Sequence, residues 1–196
     1  MKRICLLLAD GFEMAEASVF TDVMGWNQTD GNGQTELITV GMHEKLTCTW
    51  NFTVIPEMQL KDLSIDDFDA LAIPGGFEEA GFYKDSFHPD FLAVIREFHK
   101  QDKPIASICV GALPLGKSGI LNNVKATTYH LNGGLRQKQL AEFGANVIAD
   151  QRIVLDQNII SSYNPSTAFD VAFLLLELLS DSENTNHVKR QMGFIV

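Results

Sequence analysis

The chain has 196 residues, 45% of them hydrophobic and 20% charged, which suits one soluble globular domain with a sizeable core. Fifteen basic against 25 acidic residues leave a formal net charge of −10. This argues against nucleic acid as the main partner and against an anionic membrane surface, because both demand a basic face. Cys5, Cys48 and Cys109 are an odd number without framework spacing, so reduced thiols in a cytoplasmic protein are expected rather than a disulfide scaffold.

The first residues resemble a leader, but the apolar stretch is short and Asp10 ends it; no run approaches the ~20 apolar residues of a membrane span. Residues 3–8 read as a buried strand with a continuous apolar run, and Asp10-Gly11 as the turn after it. A helix is expected over residues 13–25, with Met14, Ala17, Phe20 and Met24 at helical spacing, followed by a polar loop over 27–33. Residues 35–40 form the second strand, and 45–55 alternate well enough for a strand or small hairpin. Ala70–Ile73 is another buried strand, closed by Pro74-Gly75-Gly76. Pro89–Lys100 is helical, with Pro89 at a favoured early position.

Residues 104–108 form a short apolar strand that ends abruptly at Cys109, followed by small residues and a short helix containing Pro114. Residues 125–128 read as a strand, 134–143 as a helix stopped by Gly144, and 146–149 as a strand. Residues 153–155 and Ile159–Ser162 suit a hairpin. Residues 165–179 are apolar nearly all round, so that helix is buried; 182–192 read as a final polar helix. Strands alternating with helices imply one mostly parallel sheet covered on both faces, in a single domain over 1–196.

Three strand ends carry candidate chemistry. A strand turning sharply into a helix at Cys109 has the form of a nucleophile elbow, with cysteine in place of serine. The helix N-terminus there favours an anion and is expected to lower the thiol pKa. Glu13 and Glu16 lie on the first turns of the helix after the first strand. Either can complement the helix dipole, or one can share a proton with the sulfur and act as general acid and base. Gly75-Gly76 permits backbone N–H groups to reach a developing oxyanion. His130, following the strand that ends at Thr128, competes with Tyr129 for the same pocket. The five histidines make no i, i+4 pair and no Cys–His cluster, so a zinc site is not expected. In open α/β sheets, ligands sit beyond the carboxyl ends of the strands, which places all three features in one pocket.

Taken together, Ala9-Asp10-Gly11-Phe12-Glu13-Met14-Ala15-Glu16, Ile73-Pro74-Gly75-Gly76, Ala106-Ser107-Ile108-Cys109-Val110-Gly111-Ala112, Lys125-Ala126-Thr127-Thr128 and Ser161 to Ala168 resemble the ThiJ/PfpI family of the class I glutamine amidotransferase-like superfamily. The resemblance runs to about Leu179. It implies a flavodoxin-like three-layer α/β sandwich, Cys109 as nucleophile or redox thiol, Glu16 rather than Glu13 as its partner, and Gly76 and Val110 as oxyanion donors. It also implies a homodimer. Activities in the family include cofactor-free conversion of methylglyoxal to lactate, repair of glycated groups, isonitrile hydration, peptidase activity, and chaperone or redox-sensing roles. The peptidase branch has histidine where Val110 stands, and isonitrile hydratases have aspartate where Glu16 stands; both departures weigh against those activities. Another branch has histidine where Tyr129 aligns. The expectation is therefore an enzyme without cofactor or metal acting on a small carbonyl compound through Cys109, Glu16 and His130 or Tyr129. The alternative is a non-enzymatic redox or stress protein using the same cysteine.

Overall fold

The computed structural model describes residues 1–195. In chain order its elements are β1 (Lys2–Leu8), α1 (Met14–Asp30), β2 (Thr35–Gly41), β3 (Leu46–Thr47), β4 (Thr53–Val54), β5 (Met58–Gln59), β6 (Ala70–Ile73), α2 (Phe82–Ser86), α3 (Pro89–Lys100), β7 (Ile105–Ser107), α4 (Ala112–Ser118), β8 (Lys125–Ala126), α5 (Leu131–Glu142), β9 (Asn146–Val147), β10 (Ile153–Asp156), β11 (Ile159–Ser162), α6 (Ala168–Leu179) and α7 (Ser182–Gln191).

The seven-stranded main sheet has the order β10-β11-β7-β6-β1-β2-β5. All its pairings are parallel except β10 with β11. Ile4 to Leu8 of β1 are fully buried, because a central parallel strand is covered on both faces. α1, α6 and α7 pack together, as do α3, α4 and α5, and these groups form the outer layers of a flavodoxin-like three-layer sandwich. α6 lies against β7, β11, α1 and α7, which accounts for its apolar circumference. α3 begins with Pro89 at its first turn and His88 Nδ1 accepting the Asp90 N–H at 3.3 Å; Phe91, Leu92, Val94, Ile95 and Phe98 form its buried stripe.

Three details depart from the sequence expectation. α1 runs on through Asp30, over residues expected to form a loop, because Asn27 is buried and satisfied by distant partners. β8 and β9 pair with each other, outside the main sheet. α2 and the edge strand β5 had no recognisable periodicity, being five and two residues long. The helix expected over 134–143 is present: Asn132, Gly133 and Gly134 all have φ between 55° and 70°, a left-handed turn that asparagine and glycine tolerate, so regular helix in α5 begins beyond them.

Because β7, β6 and β1 are adjacent and parallel, their carboxyl ends bring Cys109, Pro74-Gly75-Gly76 and residues 10–16 to one edge of the sheet.

Candidate active site

The chain turns at Cys109 with φ of +55°, a left-handed conformation that costs a non-glycine residue energy and persists only where its surroundings enforce it. Three contacts do so. Ile108 N–H donates to Ile73 O at 3.2 Å, Gly111 N–H donates to Ile108 O at 2.9 Å, and Thr128 Oγ1 donates to Cys109 O at 2.7 Å. Gly111 passes so close to the loop after β6 that a Cβ would lie 2.8 Å from Ile73 O. The strand-to-helix elbow expected from the sequence is thus present, with Thr128 as an anchor that the sequence did not reveal.

Glu16 is fully buried, and its Oε2 accepts the Gly75 N–H at 2.6 Å. Its Oε1 has no hydrogen-bond partner among the described residues. Burial raises this carboxyl to about 8; the Gly75 N–H opposes the rise, the nearby Glu13 adds to it, and the Cys109 thiol beside it acts in the lowering direction. The carboxyl is therefore largely protonated at neutral pH. Glu13 also lines the cavity, and it accepts from Trp50 Nε1 at 3.3 Å.

The Cys109 thiol is held well above its ordinary range, by burial first and by the neighbouring Glu16 second. The Val110 N–H is directed at the sulfur and acts in the lowering direction, as the elbow geometry leads one to expect. It is outweighed, so the lowered thiol pKa expected from the helix N-terminus alone is corrected. Two acids this close in a buried site resist carrying two charges; a thiolate forms most readily when Glu16 is protonated.

Gly76 sits opposite Phe12 in an antiparallel bridge flanked by Glu13 N–H to Gly75 O at 2.8 Å and Phe77 N–H to Gly11 O at 3.2 Å. Between such flanking bonds a residue's own N–H faces away from the partner strand. Among the described residues nothing accepts it, and Gly76 lines the cavity. The loop before α1 is itself pinned: Asp10 N–H donates to Asp85 Oδ2 at 2.8 Å, and Asp10 Oδ1 accepts the Thr47 N–H at 2.6 Å.

The cavity holding Cys109 has a volume of about 210 Å³. Glu13, Glu16, Gly76, Cys109, Val110 and Tyr129 all line it, so the structure brings together every residue expected there except His130. The His130 ring stacks on Tyr163 with centroids 3.9 Å apart. Sequence reasoning missed Phe77, Glu78, Glu79, Tyr83, Asn132 and Arg136, which with Pro165 complete the wall. Arg136 donates to Glu78 at 2.8 Å and lies 5.3 Å from the centre of the Tyr83 ring; the two charged residues stand 58 positions apart, and no local pattern joins them. A more open hollow of about 580 Å³ beside the β3–β4 hairpin is lined by Asp10, Cys48 and Trp50, and does not include Cys109. Cys5 is buried in β1, where burial keeps its thiol protonated. Among the described residues no three His, Cys, Asp or Glu side chains converge to hold a metal, and no helix is long and apolar enough to cross a membrane.

The family model described as DJ-1/PfpI matches residues 2–178. Protein DJ-1alpha of Drosophila melanogaster is 28% identical over 195 residues, covering 97% of this chain and 83% of that protein. Glutathione-independent glyoxalase DJ-1 of Schizosaccharomyces pombe is 29% identical over 204 residues, covering 98% of this chain and 99% of its own length. Among solved structures, Drosophila melanogaster DJ-1beta superposes with a TM-score of 0.87 at 23% identity, covering 100% of this chain and 99% of that one. Schizosaccharomyces pombe DJ-1 gives 0.82 at 27%, covering 98% and 100%.

Proposed function

This chain belongs to the DJ-1/PfpI family, and from that premise we propose that it is a cofactor-free enzyme that converts small 2-oxoaldehydes to hydroxy acids through Cys109. The observation that carries the reading is the convergence, in one small cavity, of the strained Cys109, the buried Glu16 with a free oxygen, and the unengaged Gly76 N–H. Relatives named as glutathione-independent glyoxalases, from Schizosaccharomyces pombe and Caenorhabditis elegans, support it.

The Cys109 sulfur attacks the aldehyde carbon while Glu16, in its ionised form, takes the thiol proton. The new C–S bond displaces the carbonyl electron pair onto oxygen, where the Gly76 and Val110 N–H groups receive the charge. Glu16 returns the proton to that oxygen and completes a hemithioacetal. It then carries the proton of the former aldehyde carbon to the adjacent ketone carbon by way of an enediol, leaving a thioester. Water hydrolyses the thioester to a hydroxy carboxylate and restores the thiol. The aldehyde carbon is oxidised as its neighbour is reduced, so no external oxidant is required. Tyr129, which lines the cavity, is the assisting side chain in this scheme; His130 is not assigned a step.

The test is formation of lactate from methylglyoxal by the wild type and by Cys109→Ala and Glu16→Gln. Each variant is expected to lose at least about 100-fold in kcat; full activity in Cys109→Ala would end the proposal. Reversible oxidation of Cys109, with neutral Glu16 donating to the sulfur's oxygens, is the second reading, supported by the raised Glu16 carboxyl. Peroxide modification confined to Cys109, without turnover of any carbonyl, would favour it. A homodimer in the cytoplasm is proposed as the working form. The dimer's support is the exposed apolar side chains on and beside the hairpin, where Trp50, Phe52 and Ile55 are 62%, 65% and 70% exposed; sedimentation tests it.

A further inference from the structure

The cavity around Cys109 is lined by Glu13, Glu16, Glu78 and Glu79 and by one cation, Arg136. That cation is already engaged, since its Nη2 donates to Glu78 Oε2 at 2.8 Å. Glu16 is fully buried with Oε1 unpartnered, so a ligand in this space meets a carboxyl ready for hydrogen bonding. The volume of about 210 Å³ suits a small ligand. A small ligand with its own carboxylate would face the acidic wall and find no free cation among the described lining residues. Glu13 is buried in this wall, whereas Glu78 and Glu79 stand exposed at its rim, so their field reaches the ligand in low salt and is screened as salt rises.

Resting on the carbonyl reaction above, we propose that the acidic wall of Glu13, Glu78 and Glu79 restricts the cavity to uncharged carbonyl compounds and expels the hydroxy-acid anion made from them. A neutral 2-oxoaldehyde and water give a hydroxy carboxylate and a proton, so the substrate enters without charge and the product leaves with one. The field that ignores the first drives out the second. The reaction class that supplies such a substrate is one that releases small neutral dicarbonyls.

The test uses two alkylating reagents of similar size, neutral iodoacetamide and anionic iodoacetate, with Cys109 modification followed by mass spectrometry. The ratio of the two rates at one pH cancels the thiolate fraction, and dividing it by the ratio for free N-acetylcysteine amide isolates the cavity's contribution. In low salt the wild type is expected to disfavour iodoacetate by about tenfold or more beyond the free thiol. Glu78→Gln removes one charge and releases Arg136, and is expected to erase most of that penalty; about 0.5 M NaCl should weaken it in the wild type. A wild-type ratio equal to that of the free thiol, or a penalty unmoved by both Glu78→Gln and salt, would overturn the selection. Labelling requires no turnover. A charge penalty in a protein that does not turn over methylglyoxal would therefore refute the reaction alone, and turnover without the penalty would refute the selection alone.

Discussion

The Gly75 N–H holds Glu16 Oε2 at 2.6 Å and leaves Oε1 free. This bond ties the first turn of α1 to the loop after β6. It is possible at that range because Gly75 has no side chain: a Cβ there would lie 2.8 Å from Glu16 Oε2 and 3.0 Å from Cys109 Cβ. A carboxyl fixed through one oxygen can pass a proton through the other without changing rotamer, which a proton shuttle between sulfur, oxygen and carbon requires.

Burial of Glu16 has a consequence for stability. The unfolded carboxyl titrates near about 4.3, the folded one at about 8. Below the lower value both states are protonated and nothing is lost. Between the two, the unfolded chain releases its proton and the native state keeps it, so stability falls as pH rises, and the loss is complete above the folded value. Urea unfolding at about pH 5, 7 and 9 should therefore show the wild type losing stability relative to Glu16→Gln by roughly 1 kcal/mol per pH unit up to about pH 8 and levelling off beyond it. A wild-type-to-variant difference that stays constant across this range would refute the buried neutral carboxyl.

The same substitution should separate thiol reactivity from turnover. Glu16 is a leading cause, after burial, of the raised Cys109 thiol. With glutamine in its place, Cys109 should alkylate at lower pH than in the wild type, because the repelling carboxylate is gone. Turnover should nevertheless fall, because the proton carrier is gone as well. A labelling profile that moves to higher pH in Glu16→Gln would mean that the carboxyl stabilises the thiolate, contrary to the geometry described above.

What the sequence made legible was local. The Cys109 elbow and the Pro74-Gly75-Gly76 turn are each written within a few residues as a buried strand that stops at small residues. Their convergence follows from the parallel order of β1, β6 and β7. The sequence did not disclose effects that depend on distant partners. Arg136 meets Glu78 across 58 positions, and Thr128 anchors the Cys109 carbonyl across 19. The direction of the thiol shift was misread because a helix N-terminus is visible in sequence, whereas burial beside Glu16 is not. Tyr129 and His130 are neighbours in the chain, and only packing on Tyr163 decides which of them lines the cavity.

Gly111→Ala tests how tightly the elbow is built. In an open helix this change would stabilise by about 1 kcal/mol, and Gly111 already has a φ of −59° that alanine accepts. Here the added methyl would lie 2.8 Å from Ile73 O and 2.9 Å from Pro74 O. The sign should therefore reverse, with a loss of about 1–3 kcal/mol measured by urea unfolding. Cys109 alkylation should change too, since relief of the clash moves α4 away from the loop after β6. An alanine variant as stable as the wild type would show that the elbow is looser than the structure describes.

Asn27 tests the opposite end of α1. Polar and followed by Gln28, Thr29 and Asp30, it looks like a helix exit, yet it is fully buried eleven residues beyond Glu16. Its Nδ2 donates to Thr35 Oγ1 at 2.8 Å and to Asn32 Oδ1 at 3.1 Å, and its Oδ1 accepts from Asn184 Nδ2 at 2.8 Å. One side chain thereby joins α1, β2 and α7, which gives the C-terminal helix a structural task. Asn27→Ala should cost about 2–3 kcal/mol, because it strands buried polar partners. At about 1.5 Å of rise per residue, it lies roughly 16 Å from Glu16, so the pH profile of Cys109 labelling should not move. Combining it with Asn184→Ala should cost less than the sum of the two single changes, by about 0.5 kcal/mol or more. Strict additivity would mean that the Asn27–Asn184 hydrogen bond contributes nothing to holding α7 on α1.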